Sequence, residues 1–334
     1  MTLSILFKFP LTQRIWLPAL FVAGLLVSFG RGYAQSTDPT AQSDDEDIAL
    51  VKQQSSLSPL MPKDVTALRE VRYVAGSKSQ SQKLDLFVPA SSARKPVPVI
   101  ICIHGGAWDH GDKVFVPVVP FLQHGFAVAS INYRLSPEAP FPAQIDDCKA
   151  AVRWIRAHAA AYGLDKDHFG ACGGSAGAHL AALLGTTCGD PAFGGGAPET
   201  VSSCIQAVCD MSGPTDLTKY PSSELLSLTS AYPTVVIAAV TKLLGGPVES
   251  NLETAKRASP LFYAERKTPP FLIIHGDQDH LVPLSDSERF YDALKKNGND
   301  ATLLVIHATH GGREFMQPDL LAKIISFFDK HLRD

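Results

Sequence analysis

The segment GGSAG at residues 173–177, centred on Ser175, constrains the fold of this chain more than any other. It has the pattern G-x-S-x-G, with a short apolar stretch before it and an alanine- and leucine-rich, helix-like stretch after it. A serine on a sharp strand-to-helix turn projects its hydroxyl out of the backbone, and glycines relieve the crowding there. Because such pentapeptides also arise by chance in ordinary tight turns, the segments around it decide its meaning.

A second glycine-rich segment, HGGAW at residues 104–108, follows the apolar run VPVIICI, which is typical of a buried central strand. Glycines directly after a buried strand let backbone N–H groups point into a site without side chains in the way. An oxyanion hole requires such groups, because it binds the charge that develops on a tetrahedral intermediate. The predicted donors are the N–H groups of Gly106, Ala107 and Ala176, with Gly105 as a further candidate.

Two later loops supply candidates for a catalytic acid and base. Asp277 and Asp279 both follow the apolar run FLIIH, and their spacing alone does not separate them. His307 and His310 follow the run TLLVI, and the glycines after His310 favour it as a mobile general base. The order Ser, Asp, His along the chain is that of α/β-hydrolases and differs from the orders in chymotrypsin and subtilisin folds.

Strand-like and helix-like segments alternate from residue 97 to the end of the chain, after two alternating segments at 67–89 that predict an antiparallel hairpin. This alternation predicts an α/β fold with a mostly parallel central sheet and helices on both faces. In such sheets the chemistry gathers at the carboxyl ends of the strands, which is where all the motifs above lie.

These motifs, together with NYRLSPEAPFPAQIDDCKAAVRWIR (132–156) and GPTDL (213–217), resemble a known family over roughly residues 64–334. It is the acetyl- and feruloyl-esterase branch of bacterial α/β-hydrolases, related to the hormone-sensitive-lipase-like carboxylesterases. The family pattern H-G-x-x-D-x-x-V-P assigns the acid to Asp279 and supports His310 as the base. Ala107 stands where lipase-like relatives often have a third glycine, but its backbone N–H is retained.

The resemblance implies an α/β-hydrolase fold and hydrolysis of short acyl esters, including acetyl or feruloyl groups on polysaccharides. Ser175, Asp279 and His310 would form the catalytic triad, and no cofactor or metal is expected. One alternative is a serine peptidase of the oligopeptidase kind, although those relatives carry a large extra domain for which this chain has no room. The other is a catalytically silent binding protein on the same fold, which usually lacks part of the triad.

The first 34 residues predict a secretory signal. Lys8 and Arg14 precede a short apolar stretch, and Gly32 and Ala34 occupy the −3 and −1 positions of a cleavage site. We expect cleavage after Ala34 and a periplasmic or secreted product without stable membrane association. An uncleaved anchor is the alternative, but the apolar stretch is short for a membrane span.

The rest of the chain predicts a polar linker at 35–60 and one α/β-hydrolase domain at 61–334. Residues 217–260 form an insert that is interpreted as a lid or, alternatively, as a peripheral decoration. Trp108 is the candidate substrate-binding residue, with packing as the other interpretation. The net charge of −3 and the lack of a basic cluster exclude nucleic acid as an expected partner.

Six cysteines in an exported chain suggest a disulfide, although the pattern is not that of a small disulfide scaffold. Cys188 and Cys204 lie close together in a glycine-rich region and are the predicted pair. The cysteines have no C-x-x-C spacing, so they are not expected to bind a metal. The remaining cysteines are predicted to be free thiols: Cys102, Cys148, Cys172 and Cys209.

Overall fold

Eight strands form one sheet in the part of the chain that the computed structural model describes, residues 62–93, 95–115, 117–194, 200–220 and 232–333. The predicted signal at 1–34 and linker at 35–60 lie outside these residues. The strands are β1 (Val65–Arg72), β2 (Lys83–Pro89), β3 (Val97–Ile103), β4 (Ala127–Ile131), β5 (Leu164–Gly174), β6 (Ala207–Met211), β7 (Phe271–Gly276) and β8 (Ala301–Ile306).

The sheet order is β1-β2-β4-β3-β5-β6-β7-β8. β1 and β2 form the expected antiparallel hairpin, and β2 also pairs antiparallel with β4. All later pairings, from β4 with β3 through to β7 with β8, are parallel. The prediction of a mostly parallel sheet is therefore confirmed, and the loops after β3, β5, β7 and β8 meet at its carboxyl edge.

Helices cover both faces of this sheet, as predicted. They are α1 (Val119–Gln123), α2 (Ala143–Ala157), α3 (Ala176–Thr186), α4 (Tyr232–Leu244), α5 (Leu252–Arg257), α6 (Leu284–Lys296) and α7 (Pro318–Leu332). Successive side chains of a strand point to opposite faces, so β3 contributes side chains to two hydrophobic cores, one on each face of the sheet. Ile101 packs in the larger core with α2 to α6, whereas Cys102 packs in the smaller core with α1 and α7.

The described part of the 217–260 insert contains α4 and α5. Val240 and Leu243 of α4 are buried in the larger core, so this helix is packed onto the domain. Residues 221–231 lie outside the described residues. The lid interpretation stays a prediction.

A disulfide joins Cys188, just after α3, to Cys204, just before β6, with 4.9 Å between the Cα atoms. The other four cysteines are free and buried. A helix long and apolar enough to cross a membrane does not occur among the described residues.

Candidate active site

Ser175 lies at the junction of β5 and α3 with a backbone conformation that is rare for a side-chain-bearing residue, φ 56° and ψ −122°. The turn is held from both sides, because the Ser175 N–H donates to the Met211 carbonyl at 2.9 Å and the His179 N–H donates to the Ser175 carbonyl at 3.0 Å. Gly177 allows this turn to pack against β3, since a Cβ there would lie 2.2 Å from the Ile103 carbonyl oxygen. The strained, tightly held serine matches a nucleophile elbow.

The side chain of Asp279, in the loop after β7, is fully buried, and each of its carboxylate oxygens has partners. Oδ1 accepts hydrogen bonds from the N–H groups of Leu281 and Val282, both at 2.9 Å. Oδ2 accepts from Nδ1 of His310 at 2.7 Å. Burial by itself favours the protonated acid, but hydrogen bonds from His275 and His310 outweigh it and hold the pKa of Asp279 well below its usual range. Asp279 is therefore a fixed anion.

His310 and Ser175 line the same cavity, which has a volume of about 590 Å³. With Nδ1 donating to Asp279, the second ring nitrogen of His310 is left to accept a proton. Asp279 thus holds the His310 ring in the orientation that a general base needs. The structure brings the predicted serine, acid and base to one edge of the sheet.

The rival residues pair with each other elsewhere. Nδ1 of His307 lies 3.1 Å from the Asp277 carboxylate, and the His307 side chain is 84% exposed. Neither of them lines the cavity that contains Ser175. The structure thus separates the pair Asp279–His310 from the surface pair Asp277–His307.

The loop after β3 forms another wall of the cavity, with Gly105, Gly106 and Ala107 in the lining. Gly106, Ala107 and Trp108 all have positive φ angles of 109°, 51° and 57°, so the chain turns sharply there. No described residue accepts a hydrogen bond from the N–H groups of Gly106 or Ala107. The same holds for Ala176 at the start of α3, where the helix dipole also favours negative charge. These groups have the character that an oxyanion hole requires.

Trp108 does not reach this cavity, contrary to the substrate-binding prediction. Its ring is buried, and Nε1–H donates to Nδ1 of His179 at 3.1 Å. The other nitrogen of His179 donates to the Ala258 carbonyl at 2.6 Å, and burial lowers the pKa of His179 to about 4. His179 is therefore neutral, and Trp108 anchors the loop after β3 (residues 104–108), which we call the oxyanion loop after its predicted role, to α3. The three positive φ angles turn the indole inward, which the sequence pattern does not reveal.

A second anchor holds the start of the same loop. The His104 ring stacks on Tyr133 with 4.4 Å between centroids, and the Tyr133 hydroxyl donates to the His104 carbonyl at 3.0 Å. Nδ1 of His104 lies 2.8 Å from the Gly105 carbonyl oxygen. Contacts of this kind fix the direction of backbone N–H groups in advance of a reaction.

Residues 84–294 match the model of the BD-FAE family. The chain belongs to the BD-FAE family. Among its relatives, esterase LipC of Mycobacterium tuberculosis is 31% identical over 237 residues, which are 69% of this chain and 57% of that protein. Esterase LipQ of the same organism is 33% identical over 67% of this chain and 52% of its own length. The chain thus spans about half the length of these curated relatives.

Solved structures show the same fold. A truncated carbohydrate esterase from gut microbiota is similar with a TM-score of 0.71 and 30% identity, over 80% of this chain and 97% of that one. An esterase from Thermogutta terrifontis gives a TM-score of 0.59 and 26% identity, over 78% and 89% of the two chains. The α/β-hydrolase fold predicted from the sequence is confirmed.

The BD-FAE domain also contains a site residue that the sequence analysis missed, His275 at the end of β7. Its Nε2–H donates to the Val282 carbonyl at 2.9 Å, and its Nδ1 lies 2.7 Å from the Ser287 hydroxyl. Burial opposes protonation, but the Asp279 carboxylate outweighs it and raises the pKa of His275. The available signal was a histidine within an otherwise apolar strand. No group of three metal-binding side chains positioned to hold an ion occurs among the residues that the structure describes.

Proposed function

We propose that this chain is a serine carboxylesterase. One observation carries the proposal: a serine on a strained turn and a histidine oriented by a buried carboxylate line one cavity, beside backbone N–H groups that donate to no acceptor among the described residues. The names of the relatives agree, because both mycobacterial proteins are called esterases.

Ser175 attacks the ester carbonyl while His310 takes its proton, and Asp279 stabilises the resulting imidazolium. The N–H groups of Gly106, Ala107 and Ala176 bind the oxyanion. His310 then gives the proton to the leaving alcohol, so an acyl group remains on Ser175. Water repeats the two steps, releases the acid and restores the free serine.

The proposed substrates are short-chain carboxylic esters, with acetyl and feruloyl groups on polysaccharides as the candidates. The similarity to a carbohydrate esterase from gut microbiota supports this choice. Export is proposed from the N-terminal pattern, with a mature chain that starts at Gln35. N-terminal sequencing of the protein from a fractionated culture checks the export proposal.

Hydrolysis of p-nitrophenyl acetate by the wild type and by Ser175→Ala tests the catalytic proposal. We expect turnover by the wild type and its loss in the variant, and a fluorophosphonate should label Ser175 on peptide mapping. Equal rates in both proteins, or the label on another residue, would contradict the assignment. An unchanged melting temperature of the variant shows that lost activity does not reflect unfolding.

A further inference from the structure

The cavity at Ser175 is much larger than an acetyl group. With about 30 Å³ for each water-sized group, its volume of about 590 Å³ holds about twenty such groups. Pockets for whole drug-sized molecules have volumes of about 300–1,000 Å³. A short ester therefore leaves most of this cavity unfilled.

The extra space lies along the smaller core of the domain. Cys102 of β3 and Cys172 of β5 line it from the sheet, and Leu321 and Ile324 line it from α7. Phe121 of α1 completes this surface, which we call the thiol wall. Cys102 and Cys172 are direct partners in the sheet, with their Sγ atoms 3.5 Å apart. Two small side chains at neighbouring positions of the sheet leave room between it and α7.

The thiol wall is suited to an aliphatic group. Its side chains offer thiols as their polar groups, which are weak hydrogen-bond donors, and the two thiols already face each other. A buried hydroxyl without a partner is destabilising, so a feruloyl ring would leave its phenol unsatisfied here. A saturated chain has no such group, and each methylene that it buries favours binding by roughly fourfold.

The wall also leads away from the reaction centre on the acyl side. Cys102 precedes the oxyanion loop by a few residues, and Cys172 precedes Ser175 in the same way. The carbonyl carbon is held between these two segments, whereas His310 must face the leaving alcohol to protonate it. An acyl chain therefore passes from the carbonyl carbon along the two strands that hold it.

We infer that the thiol wall is an acyl subsite and that this esterase prefers saturated acyl chains of medium length over acetyl groups. The inference rests on the proposed esterase function, and it replaces the acetyl and feruloyl groups proposed above with longer saturated acyl groups. Cys172 and Ile324 are the residues that set the chain length.

The first test compares p-nitrophenyl acetate, butyrate, octanoate and dodecanoate. We expect kcat/KM for the octanoate to exceed that for the acetate at least tenfold. A highest kcat/KM for the acetate, or a methyl ferulate rate above that of methyl octanoate, would overturn the inference and leave the esterase function intact. Failure to hydrolyse any of the esters would remove the proposed function and this inference with it.

Variants locate the subsite. Cys172→Leu narrows the wall and should lower the octanoate-to-acetate ratio at least tenfold, whereas the control Cys209→Leu should keep the wild-type ratio. Cys209 is the direct neighbour of Cys172 in the sheet and lies in the same core, but it does not line the cavity. An equal drop in both variants, or no drop in Cys172→Leu, would contradict the assignment.

Ile324→Ala provides a second test if the larger side chain disturbs folding. It lengthens the subsite and should move the preferred ester from octanoate towards dodecanoate. The control is Ile325→Ala, which should leave the preferred ester unchanged, because Ile325 is buried but does not line the cavity. Ethyl and octyl acetate vary the alcohol instead. If Cys172→Leu selectively slows octyl acetate, the wall binds the alcohol and the inference is wrong.

Discussion

Nε2 of His275 lies 3.4 Å from Oδ2 of Asp279, the same oxygen that accepts the hydrogen bond from His310. Both groups are buried, and His275 also donates to the Val282 carbonyl in the loop that carries Asp279. His275 therefore stabilises the carboxylate as an anion and fixes the loop that presents it. Its role is to position the acid, because it does not line the cavity.

Replacement of His275 tests this role. His275→Phe should lower kcat by roughly tenfold to a hundredfold, the value of a hydrogen bond to a charged group, with little change in KM. His275→Gln, which keeps a donor near Nε2, should recover part of the rate. His307→Phe is the control, because His307 pairs with Asp277 at the surface. A drop of equal size in His307→Phe would contradict the positioning role.

The two aspartates of the same loop should differ sharply in their effect on rate. Asp279→Asn removes the anion that orients His310, and we expect kcat to fall by three to four orders of magnitude, roughly as in other triads. Asp277→Asn should behave as the wild type. Steady-state kinetics on p-nitrophenyl acetate measures both. A large loss of kcat in Asp277→Asn but not in Asp279→Asn would show that Asp277 is the catalytic acid and that the assignment to Asp279 is wrong.

Gly106 is required for the shape of the oxyanion loop. It has a φ of +109°, and a Cβ there would lie 2.2 Å from the His110 carbonyl oxygen. Gly106→Ala should therefore displace the loop and lower kcat by about a hundredfold or more, the effect of losing an oxyanion donor. Gly189→Ala is a matched control, since Gly189 also has a positive φ but has no atom within 4 Å of its Cβ position. That variant should keep full activity.

The order of the triad was predictable because each of its residues follows an apolar run. Such runs predict buried strands, and parallel strands place their carboxyl ends at one edge. The choice between Asp277 and Asp279 was not predictable from spacing, because a tight turn decides which of two nearby carboxylates points inward. The family pattern supplied that choice.

The errors concern side chains whose direction depends on tertiary packing. Trp108 has both apolar surface and an N–H donor, so it suits a cleft wall as well as a core. Its partner His179 lies 71 residues later in the chain, and no local pattern connects the two. His275 was missed for a related reason: a polar residue at the end of a strand shows its function only when its loop partners are known.

The disulfide between Cys188 and Cys204 should stabilise the fold. It closes a loop with a sequence separation of 16 residues, for which loop-closure entropy gives about 3 kcal/mol. We expect the double variant Cys188→Ala/Cys204→Ala to unfold at a lower denaturant concentration by a corresponding amount. Dithiothreitol should destabilise the wild type but not the variant. Equal destabilisation of both proteins by the reductant would show that the effect does not come from reduction of this disulfide.

Asp210, at the end of β6, should make the stability of the protein depend on pH. It is fully buried, Oδ1 accepts from the Gly213 N–H at 2.8 Å, and Oδ2 has no partner among the described residues. Burial raises the pKa of Asp210 to about 6, whereas an unfolded aspartate has a pKa of about 3.9. Between these values the folded state keeps a proton that the unfolded state has lost. This term therefore reduces stability as the pH rises from about 4 to about 6 and is constant above that.

Asp210→Asn mimics the protonated acid at every pH and should remove this dependence. Relative to the wild type, the variant should gain about 2 kcal/mol in the free energy of unfolding between pH 4 and pH 7, because each unit of pKa shift corresponds to about 1.4 kcal/mol and the unfolded aspartate is already about half ionised at pH 4. Denaturant unfolding of both proteins at the two pH values measures the difference, and the contributions of groups that do not interact with Asp210 cancel in it. A difference between wild type and variant that is the same at both pH values would show that Asp210 titrates in the folded protein as it does in the unfolded chain.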